Sequence, residues 1–348
     1  MAFLDTMRGI AVLAVVLQHC SSLVSSTVAN ISHSYFGLGT VGVTIFFLCS
    51  GYIIPSTLAR HRSLGRFWLE RFRRLYPLYW CSLAAALLLA GLGVHVNPAL
   101  AAGPSVRMLI ANITILQLFV GEPDALNVYW TLGYELIFYA LMSLLTLARL
   151  QRRIAPVALV LLLIPIVLGQ IVPAVQGLPT TGAFVGLHYS LGTMFLGSVA
   201  YHYHTGQVGR RAAGAFALFA PLALLVATAP WGAAGGGAGV EWLNGQVVGW
   251  LVGYAAALAL FAGRQCRFPR PLLYIGTISY SLYLLHALVV LALPLPGPAL
   301  LHVPVWLAVS IALAAATYRW IERPAMRWGV PQARASARAS NPLAIERG

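Results

Sequence analysis

Eleven apolar runs account for most of this chain, near residues 9–28, 39–59, 76–94, 108–120, 129–148, 154–174, 183–203, 212–229, 246–262, 272–293 and 303–321. Runs of this length outside a membrane would have no solvent to face, so their number sets the class: an all-α integral membrane protein. Only 9% of the residues are charged, against about 25% in an ordinary soluble domain. The net charge of +14 does not indicate nucleic-acid binding, because the arginines lie between apolar runs rather than on one soluble face. All 22 basic residues are arginine.

Loop charge sets the topology. Segments 60–74, 149–153, 210–211, 264–270 and 319–347 carry arginine, whereas 121–128 and 230–245 carry Glu122, Asp124 and Glu241 and none. Short arginine-rich loops stay in the cytoplasm. Eleven crossings would put 149–153 and 210–211 outside. If 108–120 does not cross, every arginine but Arg107 returns to the cytoplasmic side. That run is only 13 residues, the length of a re-entrant or interfacial piece. The expected fold is therefore a bundle of ten transmembrane helices with one short re-entrant or interfacial segment and both termini cytoplasmic. Residues 95–128 form an extracytoplasmic excursion. Residues 1–325 read as one transmembrane domain and 326–348, rich in Arg, Ala, Ser and Pro, as a disordered cytoplasmic tail. Gly232 to Gly239 reads as a flexible external connection. The first run is expected to be retained, not cleaved as a signal peptide, because cleavage would discard Arg8 and His19 together.

That first run carries both residues on one face. They are eleven positions apart, about three turns plus 20°, and about 16 Å along the axis. With Arg8 at a membrane surface, His19 lies near mid-bilayer, where an ionisable group marks function more often than packing; a plain interhelical hydrogen bond is the competing reading. Of the eight acidic residues, only Glu135 falls well inside an expected span, about 9 Å from its outer end. A carboxylate at that depth needs a partner or stays protonated. His286 also falls in the outer half, where a polar anchor is as reasonable as a site role. His188 is similar, and His202 and His204 sit at the cytoplasmic edge. The stretch L-E-R-F-R-R-L-Y-P-L-Y, 69–79, reads as a basic loop. Arg71 and Arg74 are neighbours there if it is helical, and arginine forks suit phosphate. Ordinary positive-inside charge is the plainer explanation. Cys20, Cys49, Cys81 and Cys266 have no metal-binding spacing and read as packing residues. No metal site and no bound cofactor are expected.

Six elements in order resemble the membrane-bound acyltransferase family 3. They are L-D-T-M-R-G-I-A with Arg8 and, ten residues on, His19; G-V-T-I-F-F-L-C-S-G-Y-I-I at 42–54; R-F-R-R-L-Y-P at 71–77; W-T-L-G-Y-E-L-I-F-Y at 130–139; S-Y-S-L-Y-L-L-H at 279–286; and I-E-R-P at 321–324. The resemblance implies an O-acyltransferase that moves an acyl group, usually acetyl, from cytoplasmic acetyl-CoA as co-substrate to a hydroxyl on an extracytoplasmic acceptor. Acceptors are mostly sugars of surface polysaccharides, and the compartment is the inner, or cytoplasmic, membrane of a bacterium. The form of the 130–139 element and the lack of a fused soluble domain look more like the exopolysaccharide enzymes than the two-domain O-antigen enzymes. Carried over by motif, Arg8 and His19 match the Arg-x10-His pair, Arg71 and Arg74 the Arg-x-x-Arg pair, and Glu135 the glutamate of W-S-L-x-x-E. Thr131 replaces the serine of that element, so nothing is expected of its hydroxyl. This makes His19 and Glu135 the catalytic candidates and Arg8, Arg71 and Arg74 the donor-binding ones. His286, Tyr134 and Trp130 lie on the acceptor side. The competing class is a transporter using midplane His and Glu, weakened by the lack of clear inverted repeats and paired broken helices.

Overall fold

The computed structural model describes the chain apart from residues 25, 32–34, 36, 61–62, 168–181, 229–237, 296–298 and 329–348. The Gly232–Gly239 connection lies mostly outside the described residues, and the tail expected from 326 almost wholly so. The side chain of His188 also lies outside them. Among the described residues there is no β-strand.

The long helices are α1 (Ala2–Val24), α3 (Leu38–Arg60), α4 (Leu64–Gly91) and α8 (Trp130–Leu147), with a short α2 (Ser26–Ile31) between the first two. After α9 (Ile154–Ile166) come α10 (Gly182–His204), α11 (Arg210–Thr228) and α12 (Ala238–Ala262). The last third holds α13 (Arg270–Thr277), α14 (Ser279–Ala292) and α15 (Ala299–Thr317), a π-helical turn at Tyr318–Glu322, and α16 (Arg323–Arg327). Six described helices are long and apolar enough to cross a membrane, and a seventh if α13 and α14 count as one span. The chain is a multi-pass membrane protein.

Between α4 and α8 the excursion forms three short helices, α5 (Pro98–Ala101), α6 (Val106–Thr114) and α7 (Gln117–Val120). At nine residues α6 is about 13 Å long, well under a bilayer. It ends because Ile115 takes the left-handed conformation at φ 61°. Asn112 then ties the excursion together, donating from Nδ2 to the Pro123 carbonyl at 2.9 Å and accepting from the Ala125 amide at 2.8 Å. Tyr79 of α4 donates to the Asn112 carbonyl at 2.6 Å, which docks the excursion on the bundle.

Helix α3 is the axis of the bundle, packed against α1, α8, α10 and α12. Without a hydrophobic drive between helices in lipid, close approach depends on small residues. A Cβ on Gly51 would lie 1.9 Å from the Met194 carbonyl oxygen of α10, so only glycine permits that crossing. A Cβ on Gly276 of α13 would lie 1.7 Å from the Asp5 carbonyl of α1.

Three sequence expectations change. The stretch 69–79 is no loop: it is the middle of α4, whose start Ser63 caps by accepting from the Arg66 amide and which runs on through Pro77. The run 272–293 is not one straight helix but α13 and α14, bent by 75° at Ile278. Of the cysteines, Cys20 and Cys49 are buried, but Cys81 and Cys266 are exposed and do not pack the interior.

Candidate active site

Three arginines from two helices converge on one cavity. Arg8 enters from α1, and Arg71 and Arg74, one helical turn apart, from α4. The cavity encloses about 110 Å³ and is also lined by Ser50, Glu135, Thr131, Ser279, Tyr280 and Tyr283. Arg8 is paired with Asp5 one turn back on its own helix. The Arg71 guanidinium lies over the Phe67 ring at 5.9 Å. The Nε atoms of both Arg8 and Arg71 are buried without a hydrogen-bond partner among the described residues. Unspent buried donors on these half-buried cations favour an anionic ligand.

Arg74 is held differently. Its guanidinium lies 3.4 Å from Glu322, in the π-helical turn after α15, and over the Tyr280 ring at 5.9 Å. Glu322 is only 1% exposed and also accepts from Ser281 Oγ at 2.7 Å, at the start of α14. A carboxylate beside the first turn of α14 meets the positive end of that helix. The expectation that only Glu135 lies deep among the acidic residues is thus incomplete. Glu322 stands in the quoted I-E-R-P element, one position past its apolar run, and what buries it is the approach of α4 and α14.

Glu135 lies among the arginines. Its carboxylate accepts from Ser50 Oγ at 3.1 Å and from Tyr139 Oη at 2.5 Å. Neither partner is marked by a charge pattern in the sequence, although Ser50 stands in the 42–54 element and Tyr139 ends 130–139.

His19 and His286 form a second cluster, their rings edge to face with centroids 4.9 Å apart. His286 is fully buried. Its Nδ1 lies 3.2 Å from the Leu282 carbonyl, which can only accept, so the proton belongs on Nδ1 and Nε2 carries a lone pair. That Nε2 has no partner among the described residues. Tyr283 joins the two clusters: it lines the arginine cavity, and its ring lies 6.2 Å from that of His286. Its hydroxyl donates to the Val128 carbonyl at 3.0 Å and lies 2.9 Å from Thr131 Oγ1. The Thr131 hydroxyl, set aside on sequence grounds, is therefore part of the connection. Trp130 and Tyr134, one turn apart at the start of α8, pack edge to face with each other at 5.8 Å, and Trp130 with Phe47 at 6.2 Å. Among the described residues no three His, Cys, Asp or Glu side chains converge on a metal position.

A family model described as an acyltransferase domain, acyltransferase 3, matches residues 1–319. The chain belongs to that family. Among curated relatives, acyltransferase MdmB of Streptomyces mycarofaciens is 29% identical over 107 residues, 29% of this chain and 27% of that protein. Peptidoglycan O-acetyltransferase OatA of Listeria monocytogenes is 27% identical over 154 residues, 39% of this chain and 22% of its own length. The chain thus spans about a quarter of those two relatives. Exopolysaccharide production protein ExoZ of Rhizobium meliloti is matched along almost its whole length: 28% identity over 319 residues, 85% of this chain and 92% of ExoZ. No solved structure matches. For an acyltransferase 3 protein, the sequence elements lie close together: the three arginines on one cavity, and the first-helix histidine two ring contacts, through His286, from Tyr283 in its wall.

Proposed function

We propose that this protein is an O-acyltransferase that moves an acyl group, acetyl first among them, from cytoplasmic acyl-CoA to a hydroxyl of an extracytoplasmic acceptor, a sugar of a cell-surface polysaccharide. The observation that carries the reading is the continuity from the three-arginine cavity through Tyr283 to His286 and His19. The relatives' names support it, ExoZ by exopolysaccharide production and OatA by O-acetyl transfer. In this reading the protein lies in the inner membrane as ten spans, with both termini in the cytoplasm and residues 1–325 as one catalytic domain.

Arg8, Arg71 and Arg74 hold the donor's phosphates, which guanidinium forks match. Glu135, held by Ser50 and Tyr139 in the wall of the same cavity, orients the reacting end of the donor or the acceptor, away from the phosphates that its charge would repel. The acceptor hydroxyl enters from the opposite side, past Trp130 and Tyr134. His19 removes its proton as general base while the oxygen attacks the thioester carbonyl. The new C–O bond forms, the C–S bond breaks, and the proton returns to the departing thiolate. His286, with its Nε2 lone pair, orients His19 or the hydroxyl.

The test is transfer of label from radiolabelled acetyl-CoA, enclosed in vesicles with the purified protein, to added glycan. Wild type should transfer label and His19→Ala should not. Equal transfer by both would remove His19 from the chemistry, and solute flux without transfer would favour the transporter.

A further inference from the structure

Helices α1 and α3 form a partition with a different chamber on each side. Arg8 and Cys49 line the arginine cavity, whereas Met7 and Leu48, their chain neighbours, line a groove of about 430 Å³ on the other face. The groove is closed by α10, α11 and α12 at the arginine-rich end of the bundle. Its walls are almost wholly apolar, with Leu196, Ala217, Ala257 and Leu258 among them. Tyr254 of α12 donates to the Ala217 carbonyl of α11 at 2.8 Å and bridges the two helices that flank the opening. Beyond that bridge Gly214 leaves space: a Cβ added there would meet nothing within 4 Å.

The mouth has a different character. Arg210, the first residue of α11, lines it and is exposed. Arg264, just past α12, lies over the ring of Phe261 at 5.1 Å, and that ring is also part of the wall. Tyr52 and Tyr203 complete an aromatic collar, and the Tyr52 hydroxyl is bonded to His204. An apolar slot ending in an aromatic collar and two arginines has the order of a lipid leaflet: chain, interface, anionic headgroup.

We propose that this groove binds one anionic phospholipid, with an acyl chain between α11 and α12 and its phosphate at Arg210 and Arg264. The charge at the mouth selects a phospholipid with net negative charge over a zwitterionic one. The bound chain packs on the face of α1 opposite Arg8 and braces the helix that carries Arg8 and His19. The proposal needs only a membrane protein and holds whichever acceptor is acylated.

The experiment is native mass spectrometry of the full chain extracted from vesicles of phosphatidylglycerol and phosphatidylcholine with matched chains. Wild type should retain one phosphatidylglycerol in preference to phosphatidylcholine. Arg210→Gln and Arg264→Gln should each cut that preference about fivefold, about one surface charge's worth of attraction. Gly214→Trp should fill the slot and abolish retention of either lipid. Ala217→Leu, a milder filling with the Tyr254 bond to the backbone intact, should weaken retention in the same direction should the tryptophan variant fail to fold. Unchanged retention in a folded filled-groove variant would overturn the site. Equal retention of the two lipids by wild type would overturn the charge selection. Displacement of the lipid by palmitoyl-CoA, but not by free CoA, would make the groove a donor-chain site and overturn the phospholipid.

Discussion

His19 on α1 and His286 on α14 meet edge to face, 4.9 Å between ring centroids, although 267 residues separate them in the chain. The bond from His286 Nδ1 to the Leu282 carbonyl fixes the tautomer, so the nitrogen left over is an acceptor in a buried site. A hydroxyl or an imidazole N–H is what such a nitrogen receives. His286→Phe keeps the aromatic packing and removes the acceptor. Label transfer in that variant should fall by about 100-fold or more, the scale of a lost acid–base partner. His286→Asn, which can still accept, should retain more activity than His286→Phe; equal loss in both would make the contact a packing one.

Arg71 differs from Arg74 in having an Nε with no partner among the described residues, while Arg74 is paired with Glu322. Charge-preserving lysine at either position loses the planar fork. Arg71→Lys should therefore raise the apparent KM for acyl-CoA about tenfold or more with a smaller effect on kcat, measured in the vesicle assay. An unchanged KM would count against Arg71 as a phosphate ligand.

Glu322 joins three elements at once, bonding Arg74 of α4 and Ser281 of α14 from the turn after α15. Removing one member of a buried pair strands the other charge. Glu322→Ala should destabilise the protein by about 3–5 kcal/mol. Glu322→Gln, which can still accept from Arg74 through its oxygen and donate to the Ser281 hydroxyl through its NH2 but loses the charge, should cost less. Thermal unfolding in detergent, followed by helical circular dichroism, ranks the three proteins.

Gly276 should not accept even alanine. Its Cβ would overlap the Asp5 carbonyl at 1.7 Å, so α13 must move off α1. Gly276→Ala should lower both stability and transfer, whereas Gly91→Ala, where a Cβ meets nothing within 4 Å, should leave both unchanged. Proteolysis of detergent-purified variants reads the difference.

Asp124, in the excursion between α4 and α8, carries a pH signature. Burial pushes its carboxyl above the usual range, and the hydrogen bond from Gln117 at 2.8 Å offsets this only in part. A folded-state pKa above the unfolded one means the fold takes up the proton more readily. The contribution is full below the unfolded value of about 3.9 and is lost as pH rises through the raised folded value. Asp124→Asn should flatten the pH dependence of the excursion's stability across that window and protect it from protease at neutral pH. A dependence identical to wild type would assign the titration to another group.

What the sequence determined by itself is the class and the local geometry. Apolar run length requires a membrane protein, the eleven-residue spacing puts Arg8 and His19 on one helix face, and six ordered elements point to the family. The first two rest on composition and on spacing within one segment, where helix periodicity is enough; the third is a resemblance carried by motifs spread along the chain. Glu322 in the core, Glu135 beside the arginines, the bend at Ile278 and His286 opposite His19 were decided only in the tertiary structure. Their partners come from other helices, Arg74 and Glu322 lying 248 positions apart. No local pattern encodes which helix faces which. That is set by where glycine lets two backbones close, as at Gly51 with α10 and Gly276 with α1, and by which buried polar groups then find each other.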